Sequence, residues 1–139
     1  TVEYFGLGER ESLADFKEHT MLGTYKCKVC DLSGKYIKPQ ESSMRYDTRY
    51  FDIVNKNGIG LEFIAQGKTF SFSANHFTSY QCAKAKHQED LDSFNTTVIH
   101  IDSYMLGTGS NSCGPMPSKE YVKNNLKGEK LQFIIKPLG

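Results

Sequence analysis

Residues 61–74 alternate apolar and polar side chains around a central glycine, in the sequence LEFIAQGKTFSFSA. A period of two is typical of β-strands that bury one face. Gly67-Lys68 predicts a two-residue turn, because a type II′ hairpin needs glycine at its first central position. Phe63 would pair with Phe72, and a slip of one residue would expose both rings. The predicted buried face consists of Leu61, Phe63, Ala65, Phe70, Phe72 and Ala74, and the opposite face of Glu62, Ile64, Ser71 and Ser73.

Other segments also have strand character, and one has the signature of a helix. A loop of odd length at Asn57 would bring Phe51 and Ile53 to the buried face, which predicts a bulged turn there. Thr78 and Gln81 form a capping box, which predicts one short helix with Cys82 buried. The predicted strands are VEYFG from Val2, residues 23–32, a long strand over residues 44–54, TTVIHID and KLQFIIKPL.

Composition supports an all-β protein and excludes some partners. Eight tyrosines, nine phenylalanines and twelve glycines accompany the short apolar runs. The net charge of +1 gives no electrostatic reason to expect nucleic acid or an anionic membrane as a partner. No apolar run reaches the length of a membrane span. Four cysteines without a disulfide framework favour a reducing compartment, and we expect a cytoplasmic location.

Cysteines and histidines show no spacing that identifies a site. Cys27 and Cys30 lie in a strand-like run, where residues three apart point to opposite faces, so we expect small sheet side chains rather than a metal or redox pair. His100 alternates with two isoleucines and is expected to be a half-exposed strand residue. The roles of His76 and His87 stay open, because both flank the predicted helix and either could bind a sugar or cap.

Glycosidases use two carboxyl groups roughly 5–10 Å apart, so each pair of carboxylates in the sequence is a candidate catalytic pair. The candidates all lie in polar surroundings, which favours solvated charges: Glu9 with Glu11, Glu89 with Asp90, and Asp47 with Asp52.

Residues 100–115 have the sequence HIDSYMLGTGSNSCGP, in which a strand runs into a segment of Gly, Ser, Asn and Cys. This pattern predicts a loop with defined turns and polar side chains at its tip.

Four segments, taken together and in order, resemble one family. They are VEYFGLGERES, YIKPQESSMRYDTRY, FSFSANHFTSYQCAKAKHQEDL and DSYMLGTGSNSCGP. These are similar to stretches in the C-terminal region of β-galactosidases of the glycoside hydrolase family 2 type. This chain departs from the family's "G-P-x-E-N-Y-x-D-R" stretch at Glu9, Ser12, Leu13 and Phe16, while Glu11 and Asp15 match it. Ser42-Ser43 replaces an Asn-Gly type turn.

The resemblance implies a fold and a domain organisation. Residues 1–139 would be one domain, the C-terminal half of the small-chain domain (domain 5), cut from a longer polypeptide. Its fold would be an antiparallel β-sandwich of the supersandwich, galactose mutarotase-like type. An exposed apolar sheet face would mark the missing half of such a domain.

The resemblance also implies a function without catalytic or metal residues in this chain. The family's two catalytic glutamates and its Mg²⁺ ligands lie on a separate TIM barrel and match nothing here, so no cofactor is expected in this chain. By position, Asn111, Ser112, Cys113 and Gly114 would bind substrate on the aglycone side of the barrel's active site. The chain would thus be a non-catalytic C-terminal domain of a β-galactosidase that hydrolyses terminal β-D-galactosides such as lactose. Its partners would be the catalytic barrel, the β-galactoside and further copies in a homo-oligomer.

Two other functions remain open from the sequence. One is a free-standing carbohydrate-binding module of mutarotase-like fold. The other is a mutarotase-type isomerase, which needs a histidine and a glutamate that face each other, and for which His76 or His100 with Glu62 is the available pair. If the chain is a β-galactosidase domain, Cys113 presents only a small, weakly polar side chain to the substrate. An aromatic ring at this position would stack on a sugar ring, so we expect weak aglycone binding.

Overall fold

The computed structural model describes residues 1–92, 94–108, 116–122 and 125–139. Within these ranges no helix is long and apolar enough to cross a membrane. The strands are β1 (Val2–Gly8), β2 (Met21–Cys27), β3 (Arg45–Thr48), β4 (Tyr50–Val54), β5 (Gly60–Ala65), β6 (Phe70–Asn75), β7 (Val98–Asp102) and β8 (Phe133–Leu138), and the α-helix is α1 (Ser79–Lys84).

The strands form two antiparallel sheets that pack as a β-sandwich, which confirms the predicted fold class. The larger sheet has the order β2-β1-β4-β5-β8 and the smaller one the order β3-β6-β7. Phe51 of the larger sheet lies at the centre of the core. Its ring stacks on Phe63 of the same sheet at 4.5 Å between centroids, and on Phe72 of the smaller sheet at 4.2 Å. Aromatic rings thus join the two sheets.

The predicted hairpin at Gly67-Lys68 is wrong, although the faces of its strands were largely predicted. β5 pairs with β4 and β8, whereas β6 pairs with β3 and β7, so the chain crosses between sheets at this turn. Phe63 and Phe72 are both buried as predicted, but they meet across the sandwich instead of along one sheet. Every residue of β6 is buried, and this includes Ser71 and Ser73 of the face predicted to be polar.

The predicted strand over residues 44–54 is also two strands in different sheets. β3 pairs with β6 through an irregular register, and the chain then passes to the larger sheet at Arg49. The backbone of Arg49 donates to Phe5 O at 2.8 Å and accepts from Ala65 N at 2.8 Å. Gly6 permits this crossing, because a Cβ at that position would lie 2.7 Å from Thr48 Oγ1.

Other local predictions are confirmed or shifted. Residues 56–58 separate the paired residues Asn55 and Ile59, so the loop is odd and Phe51 pairs with Phe63 on the core face. Thr78 and Gln81 form the predicted capping box, with Thr78 Oγ1 accepting from Gln81 N at 3.2 Å. The strand predicted over residues 23–32 instead occupies Met21–Cys27 and is followed by a 3-10 turn.

Arg45 is the largest fully buried side chain among the described residues, with 1% of its surface exposed. Its guanidinium group donates to four neutral oxygens: Tyr4 Oη at 2.9 Å, Met44 O at 3.0 Å, Glu9 O at 3.0 Å and Leu32 O at 3.2 Å. These acceptors lie on β1, on the loop that follows β1, on the segment after the 3-10 turn and next to Arg45 itself. One cation therefore connects three separate segments of the chain.

The smaller sheet leaves one edge of the larger sheet uncovered. On the core-facing side, Leu61 of β5 is 41% exposed and Ile135 of β8 is 53% exposed, although Phe63 between them is buried. Exposed Ile59 extends this apolar surface. An open cleft of about 610 Å³ lies beside it, with walls that include Val29, Ile53, Leu61, His76 and Ile99. The exposed apolar sheet face that the sequence led us to expect is therefore present.

We predict that Arg45→Met destabilises the chain by about 3 kcal/mol, because carbonyl and hydroxyl acceptors would be left buried without donors. Methionine keeps an unbranched stem, so the change mainly removes the guanidinium group. Urea denaturation followed by far-UV circular dichroism would measure the free energy of unfolding. Arg10→Met is the control at an exposed position and should change stability by about 0.5 kcal/mol or less. Equal effects of both variants would contradict the role assigned to Arg45.

Candidate functional site

The residues predicted to contact substrate, Asn111, Ser112, Cys113 and Gly114, lie outside the described residues. The segment that leads towards them is described as far as Thr108. It leaves β7 and is held by a hydrogen bond of 3.0 Å from Gly107 N to Tyr121 O. A Cβ at Gly107 would lie 2.6 Å from Tyr121 Cβ and 2.8 Å from Asp15 Oδ2, so only glycine fits between these neighbours. The base of the predicted loop is therefore closely packed.

A cleft of about 510 Å³ lies beside this segment. Three parts of the chain form it: the loop between β1 and β2, the stretch before β3, and the segment after β7, while β6 contributes Ser73. We call it the β1–β2 cleft, and its walls include Glu11, Phe16, Tyr36, Glu41, Ser43 and Met105. The sequence did not predict this cleft, since its walls come from segments that are far apart in the chain.

Polar groups in the β1–β2 cleft are partly desolvated. Burial raises the pKa of Glu11, and the charges of Arg45 and His19 act in the opposite direction. Glu11 is therefore not the fully solvated carboxylate that the sequence suggested. Ser43 is 1% exposed, and its hydroxyl oxygen is buried without a hydrogen-bond partner within the described structure. Such a group costs free energy unless a partner is supplied.

Two of the positions where this chain departs from the β-galactosidase pattern also line the cleft. Leu13 stands where that pattern has tyrosine, and Phe16 stands where it has arginine. Phe16 is 54% exposed and its ring packs against His19 at 4.4 Å between centroids. The cleft therefore has an apolar wall that the family pattern does not predict.

His100 and Glu62, one of the pairs considered for an isomerase, do not come together. His100 is half-exposed on the outer face of the smaller sheet, as its alternation with Ile99 and Ile101 predicted. Glu62 lies on the outer face of the larger sheet and forms an ion pair with Lys136 at 3.4 Å. The ring of His76 is hydrogen-bonded through Nδ1 to Thr96 O at 2.9 Å. The sandwich core separates His100 from Glu62, so this pair cannot act on one substrate.

The cysteine pair is divided between two elements. Cys27 ends β2, whereas Cys30 is exposed in the 3-10 turn Val29–Asp31. Burial raises the pKa of the Cys27 thiol, which favours the protonated form over the reactive thiolate. In the described part of the chain, no group of three or more His, Cys, Asp or Glu residues could hold a metal ion.

Asp47 and Asp90, members of two candidate carboxylate pairs, take part in separate structural interactions. Asp47 forms an ion pair with Arg49 at 3.1 Å, and its carboxylate accepts a hydrogen bond of 2.7 Å from Thr69 Oγ1. The exposed carboxylate of Asp90 accepts from the backbone amides of Lys86 and His87, each at 2.9 Å, and these bonds lower its pKa. Neither aspartate lines the β1–β2 cleft.

Asp52 instead belongs to a row of charges across the outer face of the larger sheet. Glu3, Asp52 and Glu62 are directly paired on β1, β4 and β5, and Lys26 and Lys136 end the row. Each lysine contacts its neighbouring glutamate, but Asp52 Oδ1 is buried and has no hydrogen-bond partner. Burial raises the pKa of Asp52, and Glu62 and Glu3 raise it further. The sequence predicted a solvated carboxylate at Asp52, whereas in the structure this carboxylate is partly removed from water.

Comparison with known proteins gives consistent results over nearly the whole chain. A family described as the β-galactosidase small chain matches residues 1–135. A β-galactosidase of Streptococcus thermophilus is 33% identical over 139 residues, which cover 99% of this chain and 14% of that protein. One from Actinobacillus pleuropneumoniae is 36% identical over 121 residues, covering 87% and 11% respectively. The chain thus spans only a small part of the relatives that it matches.

We predict that Asp52→Asn stabilises the chain at pH 7 by a few tenths to about 1 kcal/mol, the range for facing cross-strand charges. The raised pKa of Asp52 means that folding disfavours its ionised form. The ionised carboxylate therefore destabilises the folded state to the full extent at pH values above the raised pKa. This destabilisation disappears below the ordinary aspartate pKa of about 3.9, so near pH 3 the variant should be no more stable than the wild type. Denaturation at both pH values measures this, with Asp92→Asn as the exposed control. A gain that is equal at both pH values would contradict the electrostatic explanation.

Proposed function

Because the chain belongs to the β-galactosidase small-chain family, we propose that it is a non-catalytic C-terminal domain of a β-galactosidase that acts on terminal β-D-galactosides such as lactose. The match over residues 1–135 is the observation that carries this proposal. The catalytic carboxylates and the Mg²⁺ site are proposed to lie on a separate TIM barrel of the same enzyme. The further expectations of a homo-oligomer and a cytoplasmic location belong to the same proposal.

The contribution of this chain would be to the aglycone side of the active site. In this proposal Asn111, Ser112, Cys113 and Gly114 contact the substrate beyond the galactose. The packing of Gly107 against Asp15 and Tyr121 supports this proposal, because it fixes the position of the described segment that leads to these residues.

The uncovered edge of the larger sheet supports the view that the chain is about half of a larger domain. Leu61 and Ile135 face the core side of the sandwich but are not covered by the smaller sheet. The proposed occupant of this edge is the other half of the small-chain domain. Covering these side chains would stabilise the complex by about 25 cal/mol for each Å² of apolar surface removed from water.

Complementation tests the proposed function. The chain alone is expected to show no hydrolysis of lactose or a chromogenic β-galactoside. Mixing it with the remainder of a β-galactosidase that lacks this region should restore hydrolysis, because the active site would be completed. A Leu61→Asp variant should complement poorly, since a charge would be placed on the covered edge, whereas the exposed control Ile37→Asp should complement normally. Absence of any restored activity would instead favour a free-standing carbohydrate-binding module.

We predict that Cys113→Ala in the whole enzyme weakens disaccharide binding and acceptor use in transglycosylation about threefold, or about 0.7 kcal/mol. The effect is small because the thiol gives only a small, weakly polar wall. Steady-state kinetics with lactose and with an acceptor sugar would measure it. Cys30→Ala removes an exposed thiol from the 3-10 turn and serves as the control. If the two variants behave alike, Cys113 is not a substrate contact.

A further inference from the structure

We propose that the outer face of the larger sheet is a docking surface for a partner polypeptide that carries an arginine between apolar side chains. Two neighbouring rows of side chains cross this face at right angles to the strands. The charge row consists of Lys26, Glu3, Asp52, Glu62 and Lys136. The apolar row consists of Phe5, Tyr50, Ile64 and Ile134. This surface goes beyond the proposed function, because it includes neither residues 111–114 nor the uncovered core-facing edge.

The charge row is one positive charge short. It contains three carboxylates and two lysines, and each lysine already contacts the glutamate beside it. Lys26 lies 3.1 Å from Glu3, and Lys136 lies 3.4 Å from Glu62. Asp52 stands between the two glutamates, and its Oδ1 is buried without a hydrogen-bond partner in the described structure. Like charges that face each other across strands destabilise a sheet, so one cation above Asp52 would stabilise this face.

A guanidinium group fits this position better than other cations do. The three carboxylates do not form a group that could hold a metal ion. Side chains directly opposite on neighbouring strands have Cβ atoms about 5 Å apart, so Asp52 and an adjacent glutamate are within reach of one guanidinium. The guanidinium is planar and carries five donors, and it is less strongly hydrated than the ammonium of lysine. It can therefore donate to two carboxylates at once.

The arginine of the chain that lies beside this face is engaged elsewhere. The guanidinium of Arg49 lies over the ring of Phe5, 5.5 Å from its centroid, and forms an ion pair with Asp47 at 3.1 Å. Asp47 lies outside the charge row. The missing cation is therefore assigned to a partner and not to Arg49.

The carboxylates can be reached from the solvent side of the sheet. The side chains of Glu3 and Glu62 are 35% and 24% exposed, and Asp52 is half-buried. The terminal torsion of an aspartate side chain is broad, so the carboxylate can rotate about its Cβ–Cγ bond. Either oxygen of Asp52 can thus turn towards a donor above the sheet.

The apolar row indicates that the cation belongs to a polypeptide. Phe5, Tyr50 and Ile64 are half-buried, and Ile134 is 42% exposed. The rings of Phe5 and Tyr50 lie 6.3 Å apart between centroids, so they form a continuous aromatic surface next to the charge row. Apolar side chains on either side of the partner's arginine would cover this surface and remove it from water. Exclusion of water would also strengthen the ion pairs beside it.

Fluorescence anisotropy with a labelled peptide tests this surface on the full chain. The probe is fluorescein-labelled Gly-Ser-Val-Arg-Phe-Ser-Gly, and a matched probe carries citrulline, which keeps the shape of arginine without its charge. The arginine probe should bind the wild type with saturation. The citrulline probe should bind about tenfold more weakly, as expected when hydrogen bonds to charged groups lose one charge. Absence of saturable binding by the arginine probe would overturn the proposal, and so would equal affinity for the two probes.

Variants of the two rows separate loss of the surface from loss of the fold. Asp52→Asn should bind the arginine probe about tenfold more weakly, although it is expected to be more stable than the wild type. Ile134→Ser should weaken binding of both probes about threefold, because it removes apolar contact. Asp92→Asn and Ile37→Ser change an exposed carboxylate and an exposed isoleucine outside the rows, and both should bind like the wild type. Equal effects of row and control variants would contradict the assignment of this face.

A second copy of the chain is the alternative occupant of this face. Two copies that meet there would set carboxylates against carboxylates, because the charge row has lysines only at its ends. Analytical ultracentrifugation should therefore give the same mass for the wild type and for Asp52→Asn, which supports a different polypeptide as the partner. Self-association that Asp52→Asn abolishes would assign the face to a second copy and overturn the proposal. Neither measurement uses hydrolysis, so the result is independent of complementation.

Discussion

The buried guanidinium group of Arg45 is the interaction on which the organisation of this end of the sandwich depends. It donates to Tyr4 in the core and to the carbonyls of Glu9 and Leu32, which belong to segments without regular structure. A buried cation requires hydrogen-bond acceptors around it, because desolvation without them is very costly. The loop after β1 and the segment after the 3-10 turn therefore satisfy the cation and are positioned by it. Both segments lead into the walls of the β1–β2 cleft.

A second constraint comes from the two short connections at which the chain changes sheet. Between β3 and β4, and again between β5 and β6, consecutive strands enter opposite sheets. These crossings bring Phe51 and Phe72 into stacked contact at the centre of the core. They also leave the sheets unequal, with five strands facing three, so the core-facing side of β5 and β8 is partly uncovered. The architecture that builds a good aromatic core thus also creates the surface on which we place the remainder of the domain.

The proposed active-site role concerns residues 111–114, and the described segment before them includes Gly107, which is packed against Asp15 and Tyr121. Leu13 and Phe16 line the β1–β2 cleft at positions where the family pattern has other residues.

The sequence by itself determined which residues face the core, the capped helix at Thr78, the odd loop at Asn57 and, through the order of four motifs, the family. These properties depend on alternation, local hydrogen bonds and residue identity, all of which are present in short stretches of sequence. The tertiary structure alone decided which strands are neighbours, because the same alternation in β5 and β6 suits a hairpin or a crossing between sheets equally well. It likewise decided the environments of Arg45, Asp52 and Ser43. Their burial depends on segments distant in the chain, and no local pattern distinguishes a solvated charge from one that packing has removed from water.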